Sequence, residues 1–205
     1  MRKGILNYLI LAVFAISAAF TSCDKNPDDD NNGNGNGNGN GANAFIIEAN
    51  VFNGNNYNNL VDEVRLYYHY DGTSFLLQTA PYKDGGFKMS LPETPDKNML
   101  FDIEEMFDNC SVSDKTTKMV YCETITAYKN NESAGYLLNC AVDMRHQYIR
   151  YIYVDKDCSV SGEYIQLSHF KKGWNILYVS ETTPLTTTKP DVDFKWHFAN
   201  DITWM

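Results

Sequence analysis

Thiols, imidazoles and aromatic rings are the groups in this 205-residue chain that could do chemistry. Beyond Cys23, the cysteines are Cys110, Cys122, Cys140 and Cys158, with 11, 17 and 17 residues between them and no Cys-x-x-Cys. That spacing is not a zinc ribbon's. Four thiols can pair in three ways or stay free as small buried hydrophobes. A three-residue loop, Asn130 to Glu132, would close the hairpin after Tyr128 with Cys122 opposite Cys140, so this pair is the expected disulfide. His69, His146, His169 and His197 fall one per segment, and Asp143 with His146 is the nearest approach to a ligand pair. No Gly-x-Ser-x-Gly elbow occurs. The acid pairs Asp62-Glu63 and Glu104-Glu105 are adjacent, so in a strand they point to opposite faces and suit solvated surface better than paired glycosidase carboxylates. These residues predict no catalytic site, no bound metal and no cofactor.

Aromatics are the unusual feature. The chain holds 14 Tyr, 11 Phe and 3 Trp, and all but Tyr8, Phe14 and Phe20 lie beyond residue 43. Tyrosine and tryptophan pair a broad apolar face with one polar handle, which suits them to sugar rings and protein interfaces. Tyr67, Tyr68 and Tyr70 fall on one segment and Tyr148, Tyr151 and Tyr153 on another. In the second, Ile149, Tyr151 and Tyr153 share one face and Tyr148, Arg150 and Ile152 the other. Rings on both faces predict that one set is partly exposed, which makes Tyr148, Tyr151 and Tyr153 the candidate ligand-binding aromatics. The plainer reading is that β-sheets are rich in aromatics.

The elements that must position these residues follow a leader with a basic start and an acidic tether. Residues 1–22 run from Arg2 and Lys3 through an apolar stretch, Tyr8 to Phe20, to the small residues Thr21-Ser22, the order of an export signal rather than of a membrane span. Phe20-Thr21-Ser22-Cys23 resembles a bacterial lipobox in the looser form found in Bacteroidetes, with Phe20 where Leu or Val is usual. That resemblance implies cleavage before Cys23 and acylation of its thiol, so that the membrane is a partner through an acyl anchor. Residues 23–43 then read as the lipidated cysteine and a tether too polar and Gly-rich to order itself, with an Asn-Gly alternation from Asn32 to Gly41. As a coil it spans roughly 25 Å. Asp28-Asp29-Asp30 is similar to the acidic signal that sends Bacteroidetes lipoproteins across the outer membrane, which implies a protein facing the cell exterior.

The net charge is -9, and losing Arg2 and Lys3 makes it more negative still. A chain of pI about 4.8 lacks the basic field that nucleic acid requires, and anionic lipid repels it, so acyl chains and not electrostatics must hold it.

Residues 44–205 show period-two alternation and predict one all-β domain. Phe45, Ile47, Ala49 and Val51 alternate with Ile46, Glu48 and Asn50. Val64 to Tyr70 and Ser74 to Thr79 flank Asp71-Gly72, a strong hairpin signal because both central positions of a type I′ turn need positive φ. Gly85-Gly86 opens Phe87 to Leu91. In Pro92 to Asp114, Leu100, Ile103, Met106 and Phe107 at helical spacing predict a short helix or packed loop. Further strands are expected at Lys118 to Tyr128, Gly135 to Val142, Gln147 to Val154, Ser159 to Leu167, Trp174 to Ser180 and Phe194 to Phe198.

About nine strands with at most one short helix predict an antiparallel β-sandwich, with a lipocalin-like β-barrel as the alternative. The first half, ending on Gly86-Phe87-Lys88-Met89-Ser90-Leu91-Pro92, resembles transthyretin-like and carboxypeptidase-regulatory-like sandwiches. Leu167 to Tyr178, with Lys172-Gly173-Trp174-Asn175, resembles a segment of small Bacteroidetes lipoproteins. The functional expectation is a non-catalytic binding or structural module of the outer envelope, with a glycan or protein ligand. The alternatives are a carrier of a small apolar ligand and a fimbria-type subunit.

Overall fold

A computed structural model describes residues 20–21, 44–141, 147–180 and 182–199. The rest of the signal segment 1–22, the tether 23–43 with Cys23, and the Asp143–His146 pair lie outside the described residues.

Short turns and alternation dictate the first half. After the two-residue β1 (Phe20–Thr21), β2 (Ile46–Asn50) buries Ile47 and Ala49 and exposes Ile46 and Glu48. β3 (Glu63–Tyr70) and β4 (Thr73–Lys83) form the expected hairpin, with Asp71 at φ 49° and Gly72 at φ 76° in the turn. Asp84 and Gly85, at φ 54° and 78°, make the same kind of turn into β5 (Gly86–Ser90). Gly86 is required by close approach, because a Cβ there would lie 1.9 Å from the Ala49 carbonyl oxygen on β2. β6 (Phe101–Asp102) leads into α1 (Ile103–Met106), whose Ile103 and Met106 are fully buried with the following Phe107. The helical spacing is thus realised as a single turn.

β7 (Ser111–Val112), β8 (Lys118–Lys129), β9 (Glu132–Ala141), β10 (Gln147–Val154), β11 (Cys158–Ser161), β12 (Ser168–Phe170), β13 (Gly173–Ser180) and β14 (Phe194–Phe198) complete the chain. The architecture is all-β and antiparallel, as in a sandwich. Pieces of two to four residues, such as β6, β7, β11 and β12, raise the strand number above nine, because Ser159 to Leu167 breaks after Ser161 and loop backbone pairs where it crosses the sheets. The main sheet runs β14-β9-β10-β8-β3-β4-β5-β2, with β13 on β10, and β12-β11-β7 form a small separate sheet. β4 carries the ribbon from one layer to the other. Most of its length pairs β3, while Tyr82 and Lys83 pair β5. Rings meet across the layers, Phe87 on Trp196 at 5.2 Å and Phe45 on Tyr151 at 5.9 Å. The core residues run from Ile47 to Phe198 in one cluster.

The Cys122–Cys140 disulfide is not formed; all four described cysteines are thiols outside any disulfide. The hairpin closes on a two-residue turn, Asn130-Asn131 (φ 51° and 67°), and a bulge beyond Ala127 restores the expected register, so Ile125 does face Leu137. Past Ile125 the hairpin opens and β10 enters between its arms. Cys122 then faces Tyr151 of β10, and Cys140 faces Tyr148. The two thiols are no longer cross-strand neighbours, and a disulfide needs Cα atoms within about 7 Å. Alkylating the denatured, unreduced protein should label Cys110, Cys122, Cys140 and Cys158; two unlabelled thiols would refute this arrangement.

Exposed ion pairs tie the loops down. Hydrogen bonds from the Thr116 hydroxyl and backbone N–H, then Lys156, hold the Asp114 carboxyl below its usual range. Lys171 and the Lys172 N–H do the same for Asp157. A carboxyl depressed in the folded state stabilises above its unfolded pKa, about 4, and that contribution is lost as pH falls through the folded value. Asp114→Asn should therefore be less stable than wild type at pH 7, with the gap closing below about pH 4. Urea melts across that range check it.

Candidate functional site

The tyrosines expected at a binding surface are in the core. Tyr148, Tyr151 and Tyr153 are 9%, 7% and 2% exposed. β10 pairs β13 along its whole length and β8 and β9 besides, and both of its faces are covered. The Arg150 guanidinium lies 4.5 Å from the centre of the Tyr148 ring, and Tyr153 meets Trp174 edge-on at 5.5 Å. Tyr68 is also buried, while the Tyr67 hydroxyl is 3.0 Å from that of Tyr128. The exposed rings are Phe52, Tyr70, Phe75, Tyr136 and Tyr164, spread over separate segments.

Of the three candidates, Tyr151 lines a crevice of about 250 Å³. Its floor is the face on which Ile149 and Tyr151 of β10 stand opposite Tyr178 and Ile176 of β13. Asn139 of β9 stands opposite Trp196 of β14 beside them. The rim is Phe45 to Glu48 on one side and Lys189, Asp193 and Phe194 on the other. The strand ribbon nearly closes on itself here. Val51 makes a parallel bridge to Trp196, and the Phe52 N–H donates to the Trp196 carbonyl at 2.6 Å. Among the described residues no further backbone bond joins β2 to β14 toward Phe45.

Burial pushes the Tyr151 phenol far above its ordinary pKa, aided by Tyr178 and Cys122 nearby, and burial also raises Tyr178. Both hydroxyls therefore stay protonated and can donate. Asn139 is 5% exposed, and its Oδ1 has no hydrogen-bond partner among the described residues. A buried amide oxygen left unpaired costs about 1–3 kcal/mol. The crevice is thus lined by rings and branched aliphatics, with two protonated tyrosines and the buried amide of Asn139 among its residues.

Of the residues lining the crevice, the sequence reading singled out Tyr151 and not Phe45, Asn139, Tyr178 or Trp196. One signal was available. Asn139 interrupts an otherwise apolar run, Tyr136-Leu137-Leu138-Asn139-Cys140-Ala141, and a polar residue inside a strand's apolar run needs a reason.

The serine and imidazole neighbours have a simpler origin. Ser74 Oγ lies 2.8 Å from His69 Nδ1, and Ser159 Oγ lies 2.8 Å from His169 Nδ1. Each is an exposed cross-strand pair set by hairpin register. Among the described residues no group of three or more His, Cys, Asp or Glu side chains could hold a metal ion, and no helix is long and apolar enough to cross a membrane.

No protein-family model, no curated protein and no solved structure matches the chain.

Proposed function

We propose that this protein is a lipoprotein of the bacterial outer envelope, held by acyl chains on Cys23 and facing the cell exterior, whose β-sandwich is a non-catalytic binding module. The observation that carries this reading is the sequence order itself: an apolar leader ending in Thr21-Ser22-Cys23, then Asp28-Asp29-Asp30 and a Gly-rich spacer before the first packed strand. A tether of that composition gives a folded body reach without a fixed orientation, which serves a binding protein.

Orientation is tested by protease treatment of intact cells. The wild type should be degraded while a periplasmic marker survives. Replacing Asp28, Asp29 and Asp30 with Ala should leave the lipoprotein protected until the outer membrane is opened. Protection of the wild type would refute outward display.

A further inference from the structure

We propose that the first half of β4 is a self-association edge, at which a second copy of this chain adds its own β4 antiparallel to form a dimer. β4 lies inside the strand order, yet β5 accompanies it only at Tyr82 and Lys83. Past that point the two strands part, and the Gln78 side chain fills the fork: its Oε1 accepts from the Thr79 N–H at 3.0 Å and its Nε2 donates to the Ser90 carbonyl at 2.7 Å. From Thr73 to Leu76, among the described residues, β3 is the only strand alongside, and no loop backbone bonds to this stretch. In an antiparallel pair alternate residues turn their N–H and C=O away from the partner strand, so this stretch presents main-chain groups to solvent. The burial pattern supports an open edge. Side chains of a strand alternate between faces, but Thr73, Ser74, Phe75 and Leu76 are all exposed, Phe75 at 40% and Leu76 at 48%. Natural sheets blunt such an edge with Lys, Pro or a bulge. Here no charged residue and no Pro stands between Thr73 and Ala80, and the β3–β4 register skips only Leu77, after the exposed stretch.

A second copy suits this edge for reasons of symmetry and charge. Antiparallel pairing of one edge with itself is two-fold, so each copy offers the same patch, and it succeeds only where the segment does not repel itself. The chain carries a net charge of -9, but Thr73 to Tyr82 holds no charged residue, so no like charges meet across the axis. With the axis at Phe75, Ser74 of each copy faces Leu76 of the other and the two phenyl rings adjoin, which covers apolar surface that a single copy leaves in water. The tether is a poor occupant, because residues 24–43 are Asp, Asn, Gly, Lys, Pro and Ala, types that strands disfavour. A strand pair this short buries less than the roughly 1,200–2,000 Å² of a standard interface, so the dimer should form at micromolar concentrations and above.

Sedimentation velocity on residues 23–205 with Cys23→Ser, which keep the whole core from Ile47 to Phe198, tests the contact under reducing conditions, where thiols cannot join copies. Between about 1 μM and 1 mM the protein should pass from monomer to dimer, and amide exchange should slow with concentration within Thr73–Leu77 alone. Leu76→Lys should raise the midpoint concentration about tenfold or more, even though an added lysine lowers the net charge and so eases general repulsion. Leu167→Lys makes the same charge change at a loop side chain 62% exposed, and should not raise it. A monomer throughout the range, a dimer that tolerates both lysines equally, or protection elsewhere would overturn the proposal. So would species that keep growing beyond two, since one edge per copy closes at a dimer. The wild-type exchange pattern decides the matter even if Leu76→Lys fails to fold. Protease access on cells reports the envelope reading separately, so either can fail without the other.

Discussion

Replacing Cys23 with Ser should abolish incorporation of radiolabelled palmitate and leave the export signal uncut, so that the chain runs 22 residues longer than its mature form. Supplied without residues 1–22, the Cys23→Ser chain should shift almost entirely from the carbonate-washed membrane pellet to the soluble fraction. The size of the effect follows from the anchor. Acyl chains contribute about 0.8 kcal/mol per buried methylene, and two or three of them on one cysteine make release negligible. Nothing else in the chain replaces them: the charge is -9 and the tether carries no basic run. Unchanged membrane association of the truncated variant, or palmitate on it, would end the proposal.

The second large effect belongs to the core. Ile152 is fully buried on β10, opposite Asn175 of β13 on one side and Tyr121 of β8 on the other. Ile152→Ala removes three carbons where paired strands on both sides hold the backbone in place, so the cavity cannot collapse. A loss of about 3–4 kcal/mol is expected, a large part of the usual 5–15 kcal/mol total. With a urea slope near 2 kcal/mol/M, the midpoint should fall by about 1.5–2 M. Ile46→Ala, at a side chain 50% exposed on β2, should move it by less than about 0.5 kcal/mol. Equal shifts in the two variants would mean that β10 is not the central strand.

The contrast between these isoleucines marks what was legible. Alternation placed Ile46 outside and Ile47 inside, and Asp71-Gly72 placed the β3–β4 hairpin, because both signals act within a few residues. Helical spacing of Ile103, Met106 and Phe107 placed the single turn of α1. The register between β8 and β9 was also local, and Ile125 faces Leu137 as the turn requires. The inferred disulfide failed one step further on, where a strand from outside the hairpin took the place of its partner. The tyrosines of β10 failed for the same reason: alternation says which side chains share a face, and cannot say that both faces are covered.

By itself the sequence determined an apolar leader with a basic start, an acidic Gly-rich spacer, the segments that become strands, and the turns that join neighbours. All of these depend on composition or on contacts a few residues apart. Tertiary structure decided that β10 parts the β8–β9 hairpin, that Cys122 and Cys140 stay thiols, and that Tyr151 lines a crevice with Asn139. It also decided that the ends of the sheet order, about 150 residues apart in sequence, meet at Val51 and Trp196. Those outcomes depend on which distant edges and faces pack together, and neither period-two alternation nor turn chemistry carries that choice.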